Sequence, residues 1–344
     1  MARRGGGGNS REYTCENPYG PSPTAIKAMS EAIEKGAYYA NASVAKLKSM
    51  IAERNGVSTD HIMITSGSSG ALTYLAAAVS QHGHIIGPDL FWDTTSKMGT
   101  RNSPFGLKYL PKTEDLSIDL NKMYQSINSE TALVQVTNPN NPTGMLLDAD
   151  KLSDFSKKAS KKTMVLIDEA YNELTDDPVK NSMLPLIKQG ENIVVARTFS
   201  KIYGLSSLRI GWGYGSKKII DALNVIKPPF NVNEVAQKAA IESLKDKKFI
   251  SRSVKHNYFY ATKLKDFLSN YDISSNKVSA NFLLLNFNKC KLKAKSFYEK
   301  LKKKGIILRS TEEGYKIKNM LRLTIGSKDE NIKFIKATQN IFKK

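Results

Sequence analysis

Three apolar runs, 132–137, 164–167 and 192–196, most limit how this chain can fold. Each is rich in β-branched residues and bounded by polar or turn-forming ones, the pattern of strands buried on both faces. Such strands belong to a mostly parallel sheet with helices on both sides, so an α/β architecture is expected. Each run also ends in polar residues: Asn138-Pro-Asn-Asn-Pro-Thr-Gly144, Asp168-Glu-Ala-Tyr171 and Ser200-Lys201. Open α/β sheets bind ligands at the carboxyl ends of their strands, which puts Asn141, Asp168, Tyr171, Ser200 and Lys201 where chemistry is expected. A lysine there can act as a Schiff-base nucleophile, and Arg209 can clamp a phosphate with its planar fork. A solvated loop pair is the alternative, because 52 basic residues make such pairs common.

At 344 residues the chain exceeds one ordinary core. Two units are expected: a large one over 46–249, and a smaller α+β one built from 15–45 and 250–344. The Gly- and Arg-rich segment 1–14 reads as a disordered or expression-derived arm. No run reaches the roughly 18 apolar residues that cross a bilayer, and the opening lacks a signal-peptide core. A cytoplasmic protein without membrane contact is therefore expected. Cys15 and Cys290 have no metal spacing and suit a reducing compartment. His82 and His84, beside a glycine turn, are expected at the surface, and no metal site is expected. A net charge of +20 raises nucleic-acid binding. The lysines are scattered in pairs such as Lys157-Lys158, however, and only ten arginines are present, so small anionic substrates suit the charge as well and no nucleic-acid partner is expected.

Further candidates lie along the chain. Ser66-Gly-Ser-Ser-Gly70 follows a strand and opens a helix, so Ser68 and Ser69 either cradle an anion or cap that helix. Phe91 and Trp92 follow another strand, where an aromatic face can stack on a planar ligand or pack in the core. Three prolines in 16–23 stiffen an extended path that presents Tyr19. A helical stretch over 233–268 bends near Lys247, and strands at 280–287, 306–308 and 321–325 bring Arg309 and Arg322 to a second sheet.

Taken together, Asn138-Pro-Asn-Asn-Pro-Thr-Gly144, Asp168-Glu-Ala-Tyr171 and Ser200-Lys-x-x-Gly-Leu-x-x-Leu-Arg-x-Gly211 resemble the fold type I pyridoxal-phosphate aminotransferases. The opening Glu16-Asn-Pro-Tyr-Gly-Pro-Ser-Pro23 and closing Leu321-Arg-Leu-Thr-Ile-Gly326 bring the chain nearest to the histidinol-phosphate aminotransferase group. The resemblance implies pyridoxal 5'-phosphate as cofactor, bound in the large unit. Lys201 would bond its aldehyde and then shuttle a proton, while Asp168 would pair with the ring nitrogen. Asn141 and Tyr171 would address the phenolic oxygen, and Ser68, Ser69, Ser200 and Arg209 the phosphate. Phe91, with Trp92 as the alternative, would stack on the ring. Tyr39 would reach in from a partner subunit, which implies a homodimer with shared sites. Arg322 would anchor the substrate, helped by Arg309 and Tyr19. Two places depart from the family's habit: the phosphate turn lacks an acidic residue, and Asp89-Leu-Phe-Trp92 stands where Pro-x-Tyr is usual. The implied reaction moves an amino group from histidinol phosphate, or an aromatic or other L-amino acid, to a 2-oxo acid such as 2-oxoglutarate. The alternative is a decarboxylase of an O-phospho amino acid, similar to threonine-phosphate decarboxylase.

Overall fold

The computed structural model describes residues 15–41 and 44–343; the expected arm over 1–14 lies outside them. Seven strands form the larger sheet: β1 (Ile62–Thr65), β2 (His84–Pro88), β3 (Leu107–Leu110), β4 (Thr131–Thr137), β5 (Met164–Asp168), β6 (Ile193–Thr198) and β7 (Gly211–Tyr214). Their order is β1-β7-β6-β5-β4-β2-β3. From β3 to β6 all neighbours run parallel, whereas β7 is antiparallel to both β6 and β1. The three apolar runs are the central β4, β5 and β6, as continuous burial requires.

Alternate side chains of these strands feed two apolar layers, following the period of two along a strand. Leu133, Leu166 and Val194 face the helices Gly67–Val79 and Lys217–Ile226. Val134, Val136, Val165, Ile167 and Val195 face the other way, toward Ala45–Asn55, Ala149–Ser160 and Glu234–Lys245. Burying each of these side chains contributes about 1.5–3 kcal/mol, enough to fix the register of the central strands. That register sets Thr137 beside Asp168, and Asp168 beside Ala196, so the polar residues that end β4 and β5 emerge at one level.

Four further strands, β8 (Ser274–Ser275), β9 (Phe282–Asn286), β10 (Arg309–Ser310) and β11 (Met320–Thr324), form an antiparallel sheet in the order β10-β11-β9-β8. Leu283, Leu285, Leu321 and Leu323 pack there against Phe297 and Phe334 of the helices Ala294–Lys302 and Lys328–Phe342. The expected bend near Lys247 is a break between two helices at Asp246, whose carboxylate accepts from the Phe249 amide at 3.0 Å and caps Lys247–Ser269.

Three expectations meet a different arrangement. Residues 15–45, assigned to the smaller unit, pack with the larger one: Cys15, Ala25 and Val44 belong to its core, because helix Pro23–Ile33 lies along Glu234–Lys245. Ile306 and Leu308 are buried as core anchors without pairing, and the ladder begins only at Arg309. His84 is not at the surface. It opens β2 at 1% exposure with Nε2 3.1 Å from the Thr131 hydroxyl, and burial lowers its pKa.

Candidate active site

A cavity of about 330 Å³ opens at the carboxyl ends of β4, β5 and β6. Ser68, Ser69, Asn141, Asp168 and Tyr171 line it, and so do Ser200, Lys201, Arg209, Arg309 and Arg322, drawn from segments far apart in sequence. A wider groove of about 660 Å³ between 113–124 and 146–158 contains none of the residues at these strand ends.

One part of the cavity is built for an anion. Gly67 has φ +71°, and a Cβ there would sit 2.5 Å from the Arg209 guanidinium. A Cβ on Gly211 would lie 2.4 Å from the Ser68 amide nitrogen. The missing side chains thus let the start of helix Gly67–Val79, the 199–210 loop and Arg209 close on one another. Arg209 donates to the Ser69 hydroxyl at 3.2 Å, the Ser200 hydroxyl at 3.3 Å and the Ser206 carbonyl at 2.7 Å. A guanidinium, two hydroxyls and a helix N-terminus converge as a phosphate requires.

Asp168 and Lys201 supply the acid and the amine. Asp168 is 3% exposed, and burial pushes its pKa up to about 7 despite the Ala170 amide at 3.2 Å and the nearby Lys201. A cationic N–H group set against this carboxyl would restore its charge. Burial lowers the pKa of Lys201, partly offset by Cys15 and Asp168. Its Nζ lies 3.4 Å from the Cys15 carbonyl and 5.3 Å from the centre of the Tyr171 ring. A half-buried lysine shifted toward its free-base form is a better nucleophile than a solvated one. Tyr171 stands edge-on to Phe282, and burial raises its hydroxyl pKa.

The second sheet provides another part of the lining. Arg309 on β10 lies directly across from Arg322 on β11, so both guanidinium groups leave the same face. Arg322 donates to Asn141 Oδ1 at 2.5 Å and stands 5.1 Å from the Phe282 ring centre, linking the two sheets.

Three expected residues stand elsewhere. Phe91 does not face the cavity: it is 2% exposed and packed beneath Gly87, where a Cβ would lie 2.7 Å from its ring. Trp92, the alternative, lines the cavity instead. Tyr19 is also outside the lining; its hydroxyl is 2.9 Å from His256 Nδ1 on helix Lys247–Ser269, and Arg252 covers its ring at 4.2 Å. Tyr39 is 87% exposed, its ring 4.9 Å from that of Phe230. Cys15, Thr137, Ser206 and Tyr315 line the cavity without having been singled out in sequence. Thr137 ends β4, and that position is the one signal that could have found it. Glu169, inside the Asp168-Glu-Ala-Tyr171 motif, faces away and binds Arg197 Nε and Nη2 at 3.0 and 2.9 Å in a buried ion pair.

An anion cradle, a buried carboxyl that has no cationic N–H partner among the described residues and a desolvated amine together fit pyridoxal phosphate. The model of the family "Aminotransferase class I and II" matches residues 12–337. The histidinol-phosphate aminotransferase of Pelagibacter ubique is 53% identical over 231 residues, 67% of this chain and 64% of that protein. Histidinol-phosphate aminotransferase 2 of Nitrosospira multiformis is 33% identical over 94% of this chain and 81% of its own. The crystal structure of histidinol-phosphate aminotransferase from Sinorhizobium meliloti in complex with pyridoxal-5'-phosphate shares the fold, with a TM-score of 0.84 at 22% identity over 96% of this chain and 90% of that one. A family match over nearly the whole length, meeting a cavity of this chemistry, leaves one conclusion: the chain belongs to the class I and II aminotransferases, enzymes that work with pyridoxal phosphate.

Proposed function

We propose that this aminotransferase takes the amino group of histidinol phosphate, or of an aromatic or other L-amino acid, and passes it to a 2-oxo acid such as 2-oxoglutarate. The observation that carries the donor assignment is the Arg309–Arg322 pair, a second cationic site on the second sheet, separate from Arg209 on the first. Pyridoxal phosphate supplies a ring that takes up the electron pair left when the donor's Cα loses its proton. Ser68, Ser69, Ser200 and Arg209 hold its phosphate, and Trp92 rather than Phe91 offers an aromatic face. Asp168 accepts from the ring nitrogen, and Asn141 and Tyr171 address the phenolic oxygen. Lys201 bonds the cofactor and, once released, moves the proton at Cα. Arg322 binds the donor's anionic group with Arg309 beside it.

The proposal includes two copies of the chain with shared sites, supported by the exposed Tyr39–Phe230 pair. It includes a large cofactor-carrying unit over 46–249, on which 15–45 packs, and a smaller one over 250–344, and a cytoplasmic location without nucleic-acid or membrane partners. Among the described residues no helix is long and apolar enough to cross a membrane.

The test mixes loaded enzyme with histidinol phosphate, phenylalanine, glutamate and phosphothreonine in turn and follows loss of the visible band of the lysine-bound cofactor. Histidinol phosphate should discharge the band fastest, and Lys201→Ala should show neither the band nor transamination. Transamination by Lys201→Ala would sink the assignment. Carbon dioxide released from phosphothreonine without consumption of 2-oxoglutarate would favour the decarboxylase reading.

A further inference from the structure

We propose that Asn281 is a positioning residue for Lys201, acting through the main-chain carbonyl of Cys15. Asn281 is 6% exposed and immediately precedes β9, where its own carbonyl accepts from the Ile325 amide at 2.9 Å. Its Nδ2 donates to the Cys15 carbonyl at 2.8 Å and reaches the Glu16 carbonyl at 3.4 Å. The Cys15 carbonyl is the same oxygen that accepts from Lys201 Nζ at 3.4 Å. A carbonyl oxygen has two lone pairs, so the amide and the lysine are both accommodated, and the amide fixes where the lysine finds its acceptor.

Cys15 needs that fixing. Its φ of +57° is a left-handed conformation that non-glycine residues seldom adopt. Two bonds from across the fold hold the residue on either side of its Cα: the Asn281 amide at its carbonyl, and its own N–H donating to Thr324 Oγ1 at 3.3 Å. Both ties come from the second sheet, whereas Lys201 belongs to the first. Asn281 therefore carries the placement of one sheet to the amine held by the other.

The consequence for Lys201 follows from elementary electrostatics. Hydrogen bonding to the charged form of an amine favours that form, so a fixed carbonyl keeps the released lysine protonated to a higher pH and holds Nζ in the cavity. The other groups that act on it are the Cys15 thiol, Arg322, Asp168 and Glu16, with the Tyr171 ring alongside, and none is removed by changing Asn281.

The inference rests on Lys201 being the cofactor-bearing lysine, and the test separates the two. Full-length chain stripped of cofactor is labelled with acetic anhydride across a pH series, and the Lys201 peptide is quantified by mass spectrometry. Asn281→Ala should lower the labelling midpoint by about one unit, giving about tenfold faster labelling below it. Asn281→Gln, which keeps a donor, should recover part of the shift, and Thr324→Val should shift it the same way by less. In loaded enzyme the acidic limb of the kcat profile should move down with the midpoint while KM for the donor stays constant. Wild-type midpoints in the Asn281 variants and in Thr324→Val overturn the proposal, and Thr324→Val decides it alone should the Asn281 variants fail to fold. Failure of pyridoxal phosphate to protect Lys201 from the reagent counts against the cofactor assignment instead.

Discussion

The cavity is walled by two regions of different construction. Asp168 ends β5 level with Thr137 of β4, and Lys201 and Arg209 lie in the loop that joins β6 to β7. Arg309 stands on a two-residue strand, Tyr315 on the four-residue helix Glu312–Tyr315 and Trp92 in a loop. The first region is tied to the central parallel sheet. The second belongs to the smaller antiparallel sheet, where β11 pairs with β9 and β10, and Arg322 donates to Asn141 of the first. On the proposed function, the first region handles the cofactor and the second chooses the donor.

The largest effect that tests this contrast is at the cofactor wall. Asp168→Asn should lower kcat about 10²–10³-fold, because one preorganised charge is lost where it acts. The same variant carries a pH signature. In cofactor-free protein the folded pKa of Asp168, about 7, exceeds its ordinary 3.8, so the folded state binds this proton more tightly than the unfolded chain does. Its contribution to stability is therefore complete at low pH, declines as pH rises through the interval between those values and is gone above about 7. Urea unfolding of the wild type across that interval should lose on the order of a few kcal/mol that Asp168→Asn retains. Parallel pH curves for the two proteins would show that Asp168 is not desolvated as its burial indicates.

At the donor wall the effect should be smaller and confined to the donor. Arg322→Leu removes a charge-assisted contact and should reduce kcat/KM about 10–100-fold, while pyridoxal-phosphate affinity stays near the wild-type value. Equal losses in cofactor affinity and kcat/KM would erase the distinction between the two walls, since Asn141 would then depend on Arg322 for its hold on the cofactor.

The same contrast explains what could be read from the sequence. The central strands were legible because uninterrupted β-branched burial has few structural solutions, and their polar ends followed from the sheet's geometry. The aromatic at the cavity was not: Phe91 and Trp92 are adjacent, and a shift of one residue in loop phase decides which faces the ligand and which fills the core beneath Gly87. His84 shows the same limit: a histidine beside a turn resembles a surface residue until strand pairing buries it against Thr131. Cys15 and Tyr315 left no local signal. Cys15 reaches the site through contacts with Thr324 and Asn281, 309 and 266 residues away in sequence.

Tyr19 gives the smallest expected effect and the sharpest limit on where the donor wall ends. His256 Nε2 donates to the Gly326 carbonyl at 2.9 Å, and in the neutral ring Nδ1 accepts from the Tyr19 hydroxyl at 2.9 Å. Asn17, two residues earlier, donates to the Ile202 carbonyl at 2.7 Å and holds the same segment against the lysine loop. The Tyr19 hydroxyl is thus committed to joining the opening segment to helix Lys247–Ser269. Tyr19→Phe should cost about 0.5–1.5 kcal/mol of stability, the usual net worth of one such bond. Because the hydroxyl does not line the cavity, KM for histidinol phosphate should change no more than about threefold, a shift below 1 kcal/mol. A KM raised tenfold or more for histidinol phosphate and unchanged for glutamate would place Tyr19 against the donor's phosphate. The donor wall would then extend onto the opening segment, and the donor site would be assembled from both ends of the chain.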